Sequence, residues 1–185
     1  MIRSNMKALL LAGVALGVAG SAVAADDQKL EKPFRLSVGA FFPSDREIRD
    51  ITDNVHFAFG LSYDFWRRKS GQAGNDWAAA LYFDGTFRDK DDNRLTNLGF
   101  GLNARVYLGE AQENAARFYL GAGLGGYSVH WRVAGLSESK FVFGGKGFLG
   151  VETPSGFFAE LNYTWIDNVE GENPGGFMAM IGFRF

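Results

Sequence analysis

Two histidines occur in the 185 residues, and each lies near hydroxyl or carboxylate side chains that could support acyl transfer. His56 shares a two-residue period with Ser62 and Asp64, and His130 stands two residues from Ser128. A serine nucleophile needs a base within hydrogen-bond reach, about 2.6 to 3.2 Å. On a strand rising about 3.3 Å per residue, Ser62 lies roughly 20 Å from His56, and Ser128 about 6 to 7 Å from His130. Neither pair makes a proton relay without help from elsewhere in the fold. The sequence therefore favours a protein without catalytic activity, with Ser128 and His130 as the better of two weak candidates.

Other chemical signatures fail on context. Gly121, Gly123 and Gly126 satisfy the G-x-G-x-x-G dinucleotide spacing, but no helix follows and the glycines sit inside an alternating pattern. The acidic run DKDDN, residues 89 to 93, lacks the 12-residue loop, glycine and closing glutamate of a calcium hand, and reads as a hairpin tip. Cysteine is absent, which removes disulfides and thiolate metal sites. No cofactor is expected.

The compartment is set at the start of the chain. Arg3 and Lys7 precede the apolar run ALLLAGVALGVAGSAVA, which closes on the small-x-small pattern Ala22-Val23-Ala24. Residues 1–24 read as a secretory signal peptide. Its loss would leave 17 basic against 21 acidic residues, a balance that does not point to nucleic acid. No later stretch approaches the roughly 20 apolar residues of a membrane helix. With aromatics at 15%, 25 glycines and four prolines, any membrane span must be built from strands.

Period-two alternation gives eight candidate strands: 34–42, 55–66, 77–88, 94–108, 117–131, 140–152, 157–166 and 176–185. The connectors are short and polar, which makes neighbours antiparallel, because a parallel return needs a crossover of a dozen or more residues. No convincing helix is evident after residue 24. The expected fold is all-β, an eight-stranded antiparallel up-and-down barrel over residues 34–185, preceded by a short segment, 25–33.

Volume decides which face is outside. Roughly two-thirds of the aromatic residues share the apolar face, and an eight-stranded barrel has an interior only just wide enough for ordinary side chains. The apolar face must point to lipid, making this a transmembrane barrel. The other face carries glycines and a balanced set of charges: Arg35, Arg105, Lys146 and Arg184 against Asp64, Asp84, Glu152 and Glu160. Charges withdrawn from water need partners, so these eight are expected to form a lumen network. The fifth strand breaks parity: Phe118, Leu120, Ala122 and Leu124 share one face, while Tyr127, Val129 and Trp131 share the other. A bulge near Gly125-Gly126 is expected to reconcile them.

The export signal, the eight alternating strands and the closing pattern F-x-A-x-I-x-F-x-F over Phe177 to Phe185 resemble the small bacterial outer-membrane β-barrels of the outer membrane protein A and X class. The resemblance implies a location in the cell outer membrane, with residues 25–33 in the periplasm. It also implies that Phe177, Ile181, Phe183 and Phe185 form the signal read by the barrel-assembly machinery. Outer-membrane lipid and lipopolysaccharide would be the other partners, and the barrel would be a monomer. The class includes scaffolds of envelope integrity or surface interaction, which is the favoured reading. A narrow pore or lateral-diffusion transporter for small hydrophobic molecules is the alternative. A lipid A-modifying enzyme is the third, although the motifs of lipid A deacylases and palmitoyltransferases are not evident.

Overall fold

The computed structural model describes residues 32–69, 75–90, 93–109, 115–133, 136–169 and 171–185. Residues 1–24, expected to be the export signal, and all but the last two residues of 25–33 lie outside these. Eight strands follow in chain order: β1 (Phe34–Pro43), β2 (His56–Arg68), β3 (Asp76–Lys90), β4 (Asn93–Tyr107), β5 (Arg117–Val133), β6 (Leu136–Glu152), β7 (Phe157–Ile166) and β8 (Gly176–Arg184). Each pairs antiparallel with its neighbour, and β1 pairs with β8 to close the barrel. Closure places Val38 opposite Ile181 and Ala40 opposite Ala179. The fold is the all-β, antiparallel, up-and-down barrel of eight strands.

Side chains sort by parity around the wall. Phe100, Phe118, Phe143, Leu149 and Phe177 point outward and are more than half exposed, while Ala58, Ala80 and Tyr119 point inward and are buried. An apolar belt that runs around the whole barrel far exceeds the few hundred Å² that soluble monomers expose. It is the exterior of a membrane barrel, with apolar side chains turned to lipid and polar ones to the lumen.

The narrow lumen needs glycine where rings cross it. A Cβ at Gly121 would overlap the Phe148 ring and the Ala104 carbonyl, and one at Gly150 would overlap the Tyr119 ring. These two glycines make room for the inward aromatics of neighbouring strands.

Three features depart from the sequence reading. First, the connector between β1 and β2 holds a helix, α1 (Arg46–Thr52), whose amide at Glu47 is capped by the Asp45 carboxylate at 2.8 Å. Seven residues are too few to be stable on their own. The helix persists because Ile48 is buried in the barrel mouth. Second, β5 has no bulge: Leu124 faces Leu102, Gly125 faces Gly101 and Gly126 faces Phe100 without a shift. Tyr127 and Val129 remain inward and buried, because the inner wall itself turns apolar at this end. Third, the register shift lies in β2, where Asp64 faces Ala80 and Trp66 faces Ala79, leaving Phe65 as the extra residue. Trp66, which an unbroken two-residue period would place on the face of Asp64, thereby joins the parity of outward Ala79, and Arg67 turns in opposite Ala78.

Candidate functional site: the barrel interior and its rims

Residues 34 and 185 mark one end of the barrel, here the terminal end, and α1 covers the other, the cap end. Charged side chains fill the terminal half of the lumen. Arg35 of β1 reaches across to β6, its Nη1 2.6 Å from Glu152 Oε2. Its Nη2 donates to the Tyr119 hydroxyl at 2.7 Å and stands 3.7 Å from Glu160 Oε2. The guanidinium lies 3.9 Å from the centre of the Phe158 ring. Tyr119 in turn donates to Glu160 at 2.8 Å, and Tyr107 to Glu152 at 3.1 Å. Arg184 approaches the second oxygen of Glu152 at 3.2 Å.

Two further groups complete the interior. Arg105 faces Asp64, with Nη2 3.2 Å from Oδ1. Lys146 meets Asp84 at 2.6 Å while its ammonium sits 3.8 Å from the centre of the Tyr82 ring. The structure thus places Arg35, Asp64, Asp84, Arg105, Lys146, Glu152, Glu160 and Arg184 on the inner wall, each within ion-pair distance of another. It also brings in charges the sequence reading did not include. The β2 shift turns Arg67 toward Asp64 at 3.3 Å, and Arg117 pairs with Asp76 at 2.6 Å. Among the described residues, the inner wall below the cap therefore carries six cations and five carboxylates.

The cap half holds an apolar cluster beside buried His56, Thr86, Asn97 and Thr164. Ile48 from α1 and Val169 from the β7–β8 connector pack onto Leu95, Tyr127, Val129 and Ile166 of the inner wall. Tyr82 and Tyr127 join at their hydroxyls, 3.1 Å apart, where the two halves meet. His56 is buried here, its Nε2 3.0 Å from Thr52 Oγ1. It ties α1 to β2, and Ser62 and Asp64 lie farther down the strand toward the terminal end.

Two small voids lie along the axis among the described residues. A void of about 30 Å³ lies among Arg35, Asp84, Arg105 and Lys146, and another of about 20 Å³ among Phe41, Tyr127 and Met178. Each holds one or two waters at most. A larger cavity of about 170 Å³ opens at the terminal end.

His130 has a partner that linear spacing concealed. Its Nδ1 lies 2.6 Å from Oγ of Ser139, the residue directly opposite on β6. Ser128 is not that partner; it faces Phe141 across the strand pair. The signal available in the sequence was the β5–β6 register, which would have aligned His130 with Ser139. Among the described residues no carboxylate meets the other ring nitrogen to serve as the third group that fixes a catalytic tautomer. Among the described residues, no cluster of three His, Asp or Glu is arranged to hold a metal ion.

The closing-strand residues Phe177, Ile181, Phe183 and Phe185 all point outward and are exposed. Phe185 stacks beside Phe34 at 6.0 Å, and the two residues exchange backbone hydrogen bonds of 2.9 Å.

No protein-family profile and no curated protein matches the sequence. Solved structures do match. Neisserial surface protein A superposes with a TM-score of 0.59 at 15% identity, over 82% of this chain and 96% of that one. The fold is that of the small outer-membrane β-barrels. A second such barrel, the outer membrane enzyme PagL, superposes with a TM-score of 0.58 at 14% identity, over 82% of this chain and 98% of that one. One of these small outer-membrane barrels is described as a surface protein and the other as an enzyme, so function has to be argued from this chain's own side chains.

Proposed function

We propose that this protein is a closed, non-enzymatic barrel of the bacterial outer membrane that contributes to envelope integrity or surface interaction. The observation that carries the reading is the packed lumen: among the described residues an ionic layer occupies the terminal half and an apolar cluster the cap half, with voids of about 30 and 20 Å³ along the way. Residues 1–24 serve as the export signal, 25–33 as a short periplasmic segment and 34–185 as the barrel. The terminal end then faces the periplasm and the cap end the exterior.

The apolar belt supports outer-membrane lipid and lipopolysaccharide as the surroundings of a monomer. Phe177, Ile181, Phe183 and Phe185 form the strand offered to the barrel-assembly machinery. Cell fractionation tests the location: the protein should follow outer membranes and migrate differently on gels before and after heating. Recovery from the soluble periplasm would contradict the reading.

One observation favours a second reading, the Ser139–His130 contact at the cap-end rim. An exposed serine against an imidazole has the makings of an esterase acting on membrane lipid. Among the described residues no orienting carboxylate meets the ring, which weighs against it. Mass spectrometry of lipid A after expression should show no change; a mass loss abolished by Ser139→Ala would establish the enzyme. A lateral route for small hydrophobic molecules finds less support, because the lumen is filled.

A further inference from the structure

The cavity of about 170 Å³ at the terminal end is lined by three arginines from three strands: Arg67 of β2, Arg117 of β5 and Arg184 of β8. Their side chains are only 15%, 16% and 15% exposed. Asp76, Glu152, Tyr107 and Thr153 complete the polar lining.

The acceptors in this cavity are already committed. Glu152 takes Arg35 and Tyr107 on Oε2 and faces Arg184 with Oε1. Asp76 takes Arg117. Arg67 has a 3.3 Å contact to Asp64 Oδ2, an oxygen that Arg105 also approaches at 3.3 Å. The Nε groups of Arg67, Arg117 and Arg184 meet no acceptor among the described residues. Arg117 also donates to the Gly109 carbonyl at 2.8 Å and Arg67 to the Tyr107 hydroxyl at 3.3 Å, yet among the described residues the inner wall below the cap still holds six cations against five carboxylates. An uncompensated cation withdrawn from water is costly, so the arrangement favours an added anion.

We propose that this cavity is a binding site for a phosphate group, carried either by a free phosphate or by a lipid headgroup. Three guanidiniums converging from different strands suit a tetrahedral oxyanion, which presents oxygens in several directions, better than a planar carboxylate. Guanidinium forks match phosphate oxygens in pairs. The volume is several times the roughly 30 Å³ that one water occupies in the liquid. The site is also pre-organised: the guanidinium carbons of Arg67 and Arg117 lie 5.4 and 5.3 Å from the centre of the same Tyr107 ring. This site stands on the cavity alone and holds whether or not the barrel proves catalytic.

The test uses the chain from residue 25 refolded in dodecyl maltoside, which contains no phosphate. Phosphorus NMR follows titration with inorganic phosphate and, separately, with dihexanoyl phosphatidic acid. Saturable binding of inorganic phosphate is expected, weakened at least tenfold by Arg67→Gln and by Arg184→Gln. These substitutions leave Asp64 with Arg105 and Glu152 with Arg35. Arg88→Gln removes the same charge near α1 at the cap end, where Arg88 pairs with Asp53, and should bind as the wild type does. Binding of phosphatidic acid alone, with the same loss in the variants, supports the headgroup as the source. For the wild-type protein, sulfate should compete and acetate should not, which keeps the test open even if a variant fails to fold. Absence of saturable binding by both phosphates, equal binding by the wild type and both variants, or equal competition by acetate and sulfate would overturn the proposal.

Discussion

Lys146 and Asp84 meet at 2.6 Å across the lumen, from β6 and β3, strands separated by two others in the wall. Both side chains are largely buried, and the Tyr82 ring lies against the ammonium. The contact braces opposite walls of the barrel and occupies its axis.

Breaking this pair from one side should be costly. Lys146→Met leaves a buried carboxylate without its cation and should destabilise the barrel by about 3 to 5 kcal/mol. The double variant with Asp84→Asn should recover most of that loss, because neither charge remains. Urea unfolding in detergent micelles measures both, and the cycle isolates the pair. Equal stability of the single variant and the wild type would mean that the pair contributes nothing.

Glycine positions should separate by face. Gly121→Val drives a side chain into the Phe148 ring and the Ala104 carbonyl, an overpacking that should cost about 1 to 3 kcal/mol or prevent closure. Gly147→Val meets open space, with no atom within 4 Å of its added Cβ, and should fold as the wild type does. Heat-modifiable migration and unfolding midpoints report the difference.

The cap should respond to pH. Interaction of the Glu172 carboxyl with those of Glu47 and Asp45 at the cap pushes its pKa up to about 7. Burial works against Asp45, yet the backbone amides of Asn173 and Glu47 hold its carboxyl below the usual range. Because Glu172 binds its proton more tightly when the cap is docked, docking is favoured at low pH and weakens as pH rises from about 4.5 to about 7. The Asn173 amide, which donates to Asp45 at 3.2 Å, should lose hydrogen-exchange protection over that interval. Glu172→Gln should make its protection independent of pH there; an unchanged pH profile in that variant would assign the effect to another group.

The barrel was legible because two-residue alternation is a direct consequence of strand geometry, and the excess of aromatics on one face fixed which way the wall turned. Four things were hidden, each for a physical reason. Arg67 could not be placed inside because one extra residue at Phe65 reverses every side chain after it. The inward course of Tyr127 and Val129 was obscured by reading polarity as parity, which fails where the inner wall becomes an apolar plug beneath Ile48 and Val169. The helix at residues 46 to 52 is short, and its stability comes from burying Ile48, a tertiary contact that local pattern does not contain. The Ser139 partner of His130 likewise depended on the register between β5 and β6.

If the ionic layer and the apolar cluster close the lumen, the barrel does not conduct. Conductance of the purified, refolded barrel in planar bilayers, paired with solute flux in liposomes, tests it most directly. A sealed bilayer without stepwise current and without flux is the predicted result; stable, repeated conductance steps or solute uptake would contradict it.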